Sequence, residues 1–164
     1  MPKLIKNGEV VTNEWALLDA DADVTNLAEG YWVLPLQQFL THASQGEVNY
    51  AHVGVSLVSD DDITALEEHI HALQLIVLTF NAFADGRSFS QARLLRDQFD
   101  YAGELRAVGD FLQDQLFYLS RCGVDAFLIN DEINLDSALN SLRDFSETYQ
   151  AACDEPQPLF RRRV

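Results

Sequence analysis

Val53-Gly54-Val55-Ser56-Leu57-Val58 is followed by Ser59-Asp60-Asp61-Asp62, by Ile63, Leu66, Ile70 and Leu73 at helical spacing, and by Leu75-Ile76-Val77-Leu78-Thr79-Phe80. This run decides the fold. Ser59 and the three aspartates predict a helix start, because their side-chain oxygens accept from free backbone N–H groups and their charge complements the helix dipole. Leu75–Phe80 is apolar at nearly every position, as a strand covered on both faces requires. Two such strands joined by a helical segment form a parallel pair with a right-handed crossover.

The same alternation continues downstream. Phe89, Ala92, Leu95 and Phe99 mark a helix, Leu105–Gly109 a strand, and Leu112, Leu116 and Leu119 a helix. Val124–Ile129 reads as a strand, and Leu135, Leu139, Leu142 and Phe145 as a last helix. Residues 52–150 thus read as an α/β domain of four consecutive βα units, forming a parallel sheet or a TIM-like half-barrel. Residues 1–51 read as an N-terminal appendage. In it Lys3–Thr12 forms a hairpin around Asn7-Gly8, a pair suited to two positive φ values, and Trp15–Leu18 a third short strand. Asp19–Gly30 is an acidic loop, and Trp32-Val33-Leu34 leads into Pro35 in the first turn of a helix through Leu36, Phe39 and Leu40. A half-barrel leaves open edges, which predicts either a homodimer or cover from the appendage. Residues 151–164 are rich in Pro and Arg and read as a flexible tail, or as an arm that docks on an acidic neighbouring surface.

The formal net charge of −15 argues against binding to nucleic acid or anionic lipid, both of which would repel the chain. No apolar run has the roughly 20 residues of a membrane helix, and Met1–Lys6 has no signal-peptide pattern, so a cytoplasmic protein without membrane association is expected. Cys122 and Cys153 are the only cysteines, which excludes an iron–sulfur or structural zinc site ligated by cysteines of one chain. His69 and His71 diverge around a helix, and Asp60–Asp62 has no accompanying phosphate loop, so no metal site is expected. Nucleotide and acyl-transfer motifs are absent.

Five of the eleven cationic residues, Arg87, Arg93, Arg96, Arg106 and Arg121, fall between Asp85 and Gly123. In parallel α/β folds ligands collect at the carboxyl ends of the strands, here Ser59–Asp62, Asn81–Ser88, Gly109-Asp110 and Asn130–Glu132. Asp85-Gly86-Arg87-Ser88 precedes a helix. Free N–H groups, a hydroxyl and a guanidinium could hold a small anion there, or Asp85 or Ser88 caps the helix while Arg87 pairs with Asp110 or another neighbour. Arg93 and Arg96 share a helix face, as ion-pair partners of Asp97 and Asp100 or as a patch facing a phosphate or a partner. Arg106, within a strand, points away from Leu105 and Ala107, either to pair with an acid such as Asp125 or to touch a ligand. Asp110 and Asp114 suit a helix N-terminus or acid/base work, and Cys122 is a packed thiol or a reactive one. No catalytic residue and no cofactor follow from these residues.

Asp85–Arg96, Gly103–Asp110, Asp114–Phe117 and Arg121–Phe127, together with Leu4–Gly8, Leu34-Pro35-Leu36 and Pro158–Arg163, closely resemble a bacterial domain-of-unknown-function family. Its members carry the description of an oxidoreductase involved in sulfite reduction. The resemblance implies a role in assimilatory sulfate reduction at the sulfite-to-sulfide stage. Sulfite is a small dianion that an arginine-lined site suits. Its six-electron reduction needs sirohaem and an iron–sulfur cluster, and this chain offers no ligand set for the cluster. The resemblance therefore implies an accessory protein that binds sulfite reductase or another sulfate-assimilation enzyme, helps deliver electrons, or handles sulfite, with Arg87, Arg93, Arg96 and Arg106 as the residues to test. Two other classes stand beside it: an enzyme using a flavin or nicotinamide at the strand ends, and a structural subunit whose arginines make internal ion pairs.

Overall fold

The computed structural model describes residues 3–19, 21–22, 29–46, 48–130 and 133–162. Asn7 and Gly8 take φ of 52° and 76°, the two positive values that the tight turn needs, and join β1 (Lys3–Lys6) to β2 (Glu9–Val11). Next come β3 (Trp15–Leu17), β4 (Tyr31–Pro35), α1 (Leu36–Gln45), β5 (Val53–Leu57), β6 (Leu75–Phe80), α2 (Arg87–Asp97) and β7 (Glu104–Gly109). The chain ends with α3 (Leu116–Arg121), β8 (Ala126–Ile129), α4 (Leu135–Ser141) and α5 (Leu159–Arg162).

The eight strands make one sheet in the order β2-β1-β8-β7-β6-β5-β4-β3. β3 to β8 are parallel, and β1 pairs antiparallel with both β8 and β2. The expected appendage therefore supplies four strands of the same sheet as β5–β8. Trp32–Leu34, read as the lead-in to a helix, is inside β4, and Pro35 closes that strand immediately before α1.

The two edge strands, β2 and β3, are consecutive in the chain and joined by residues 12–14 alone. Four Cα steps reach at most about 15 Å, whereas eight strands laid flat span about 33 Å. The sheet must therefore curl until the joined ends of β2 and β3 come within that reach, in an arc like part of a barrel. Of the two expected ways to cover the half-barrel, this one uses the N-terminal strands.

Curling gives the sheet an inner and an outer face. The outer face carries the large core, in which Ile5, Leu34, Val55, Leu57, Ile76, Leu78, Leu105, Ala107 and Phe127 pack with Phe39, Ala92, Leu95, Leu116, Leu119 and Ala138 from the helices. The inner face carries a smaller apolar cluster of strand residues, Val33, Leu75, Val77 and Val108, with Trp15 and Leu128 against them.

Several boundaries differ from the sequence reading. Ile63, Leu66, Ile70 and Leu73 are all buried as expected, but the first three sit on two 3-10 turns, Ile63–Leu66 and Ile70–Ala72, with Leu73 just after the second, and not on one helix. His69 separates the turns, held by the Tyr50 hydroxyl at 2.9 Å and by the edge of Phe39. Asp62 does cap the first turn, accepting from Thr64 N–H. The segment from Leu112 opens with a 3-10 turn before α3, and Phe145 lies beyond α4, exposed.

The tail is packed. Leu159 N–H donates to Tyr149 O, and Arg162 faces Glu147 at 3.4 Å and Glu155 at 3.7 Å. Arg163 lies outside the described residues, as do Asp131, Glu132 and positions 20 and 23–28 of the acidic loop. Among the described residues no helix is long and apolar enough to cross a membrane.

Candidate functional site

Parallel pairing of β5 to β8 brings the ends of these strands to one edge, so Ser59–Asp62, Asn81–Ser88 and Gly109-Asp110 are neighbours there. Gly109 takes φ 97°, and a Cβ on it would collide with the Phe80 carbonyl oxygen, which instead accepts from Asp110 N–H. Only glycine lets the chain leave β7 this way.

Arg87 opens α2 at this edge. Its Nε and Nη2 donate to Asp85 at 2.9 and 2.7 Å, its Nη1 to Asp60, and its backbone N–H to Asp85 Oδ1. Hydrogen bonds from Arg87 and Ser59 hold the Asp85 carboxyl well below the usual carboxylate range. One guanidinium shared by two carboxylates leaves a net negative charge, so the rim is not a positive pocket. Gly86 precedes the helix with no side-chain cap, Ser88 is buried, and Asp110 and Asp114 are exposed. Gln91, which the sequence reading passed over, ties α2 to this edge by donating to Val58 O and Asp61 O.

The other arginines lie elsewhere. Arg93, on the outer side of α2, pairs with Asp97 one turn on. Arg96 reaches towards the start of β7 and β8, where it donates to the carbonyls of Tyr101, Gly103 and Gly123 and to Asp125 at 3.1 Å. Arg106 is inside the curled sheet, 1% exposed, donating to Glu104 at 2.7 Å and to Asn13 Oδ1 at 2.8 Å. Lys6 joins the same glutamate at 2.7 Å. The expected pairing of Arg106 with Asp125 is thus replaced. Asp125 precedes β8, where it accepts from Leu105 N–H and Arg96, while Glu104, two residues before Arg106 on the same strand face, takes the buried arginine. The five anion-site candidates therefore do not converge.

What the helices do build is a groove between α2 and α3, with a volume of about 730 Å3. Phe89, Leu94, Phe117 and Tyr118 give it apolar walls, and the Phe89 and Tyr118 rings tilt together at 5.4 Å. Tyr118 is 61% exposed. Residues 150–152 close one side, fastened by Arg121, which donates to Gln150 O and faces Asp154 at 3.3 Å. Arg93, Arg121 and Cys122 also line the groove, and among the described residues none of its lining is acidic. Burial pushes the Cys122 thiol up, against a hydrogen bond from Tyr118. On a chain of net charge −15, this wall sets Arg93 and Arg121 beside Phe89, Phe117 and Tyr118. The available signal was Phe117-Tyr118, two aromatics set between Leu116 and Leu119, the core-facing residues of α3.

A family model described as a bacterial protein of unknown function (DUF934) matches residues 54–160. No curated protein matches the chain. The match runs from β5 into α5, so it includes every residue of the groove and omits Lys6 and Asn13, the partners supplied to the buried network by the first strands.

Proposed function

The chain belongs to the bacterial family DUF934, and from that premise we propose that it is an accessory protein of sulfite reduction, docking on sulfite reductase through the groove between α2 and α3. The groove carries this reading: exposed Tyr118 beside Phe89 and Phe117, flanked by Arg93 and Arg121 with no carboxylate among the described lining residues. Aromatic and arginine side chains are the usual anchors of protein interfaces. Arg87, Arg93, Arg96 and Arg106 are each already held by carboxylates or carbonyls, which favours docking over capture of free sulfite. The consecutive parallel order from β3 to β8 supports reading the scaffold as a portion of a TIM-like barrel.

The test is capture with the tagged chain from cells growing on sulfate as sole sulfur source. Recovery of sulfite reductase is expected, with Tyr118→Asp lowering it at least about tenfold while the fold persists, because Tyr118 is exposed. Repeated capture without the reductase would end the reading. A second reading, a flavin- or nicotinamide-dependent enzyme, is favoured by the groove's size, which lies within the usual range for small-molecule sites. A rise in thermal midpoint with FMN or NADPH, abolished by Tyr118→Asp, would select it.

A further inference from the structure

Cys122 closes α3 and Cys153 follows the segment that walls the groove. They are 31 positions apart. The backbone N–H of Cys153 donates to the carbonyl of Arg121, the residue before Cys122, at 3.2 Å. Standard bond lengths then place the two Cα atoms within about 7.5 Å, an upper limit just above the roughly 4.4–6.8 Å span of disulfides. The Cys153 Sγ reaches the backbone of Cys122, lying 3.4 Å from its carbonyl oxygen, and is 3.7 Å from Asp97 Oδ1. Cys122 is buried and Cys153 half-buried, and the Arg93 charge acts on both thiols.

We infer that Cys122 and Cys153 are a dithiol–disulfide couple that latches the groove wall to the end of α3. The oxidant is a low-molecular-weight disulfide. The more accessible Cys153, as thiolate, attacks one of its sulfurs, forming a mixed disulfide and expelling one thiolate. The Cys122 thiolate then attacks Cys153 Sγ, closing the internal bond and expelling the second. Two electrons pass from the protein sulfurs to the external disulfide, and the two cysteine protons end on the two small thiols. Arg93 favours both thiolates; burial opposes them, as does the Asp97 carboxylate beside Cys153, so exchange is slow near neutrality. The couple does not depend on what docks in the groove.

The test incubates the full chain with glutathione disulfide at about pH 8.5, then alkylates under denaturing conditions and measures intact mass. Expected is a monomer that has lost both free thiols together and carries no glutathione, with a thermal midpoint raised by about 5–10 °C that returns on reduction. Cys122→Ser should stop at a single glutathione adduct on Cys153. Wild-type protein carrying two adducts, forming a disulfide-linked dimer, or keeping both thiols under these conditions would overturn the inference. That measurement needs no variant to fold.

Discussion

Arg106→Ala is expected to lower the stability of the fold by about 3–5 kcal/mol, or about 10 °C in thermal midpoint for a chain of this size. The guanidinium is 1% exposed and ties Glu104, on its own strand, to Asn13, 93 positions away in the connection between β2 and β3. Removing it leaves the Glu104 carboxylate buried with only Lys6 at 2.7 Å, strips Asn13 Oδ1 of a donor, and opens a cavity inside the curled sheet. A double change to methionine at Arg106 and Glu104 should recover most of the loss, because apolar residues of similar volume replace a buried ion pair at little cost. Lys6, whose side chain is 41% exposed, can then turn to solvent. Urea unfolding of the three proteins checks this. A near-unchanged midpoint for Arg106→Ala would return this residue to the role of ligand contact.

The parts of the fold legible in the sequence are those encoded by neighbours. Asn7-Gly8 specifies its turn, Leu75–Phe80 its buried strand, and the i, i+3 spacing of Phe89, Ala92 and Leu95 its helix, since each depends on contacts within a few residues. Closure of the sheet was not legible. It rests on Asn13 meeting Arg106 across 93 positions and on β1 inserting beside β8, pairings without a local pattern. The partner of Arg106 failed for a small reason with a large consequence. Starting β8 at Val124 places Asp125 within the sheet, whereas Gly123 at φ 102° turns the chain and the strand begins at Ala126. Asp125 then faces the incoming α2 and not the interior. The arginine rim failed because spacing along a helix shows which side a residue is on but not which end of the sheet it reaches. Arg87 serves one edge and Arg96 the other, nine positions apart along the helix.

Arg96→Ala is expected to cost about 3–4 kcal/mol at neutral pH, by orphaning four acceptors in two loops at once. The side chain is 17% exposed, and its one guanidinium satisfies the carbonyls of Tyr101, Gly103 and Gly123 together with Asp125. Lysine should rescue little, because a point charge cannot copy a planar fork aimed at four acceptors. The pH dependence gives this prediction its sign. Burial raises the Asp125 carboxyl above its ordinary value, opposed by hydrogen bonding from Leu105 N–H and by the Arg96 charge. A carboxyl raised in the folded state binds more protons folded than unfolded, so its contribution to stability is full below the unfolded value and is lost as pH rises through the folded one. Without Arg96 the carboxyl rises further and the loss at neutral pH deepens. The gap between wild type and Arg96→Ala should therefore narrow as pH falls through the acid range, and Asp125→Asn should flatten that dependence while keeping the acceptor for Leu105 N–H. A gap that stays constant from neutral to acid pH would show that Arg96 acts through the three carbonyls alone.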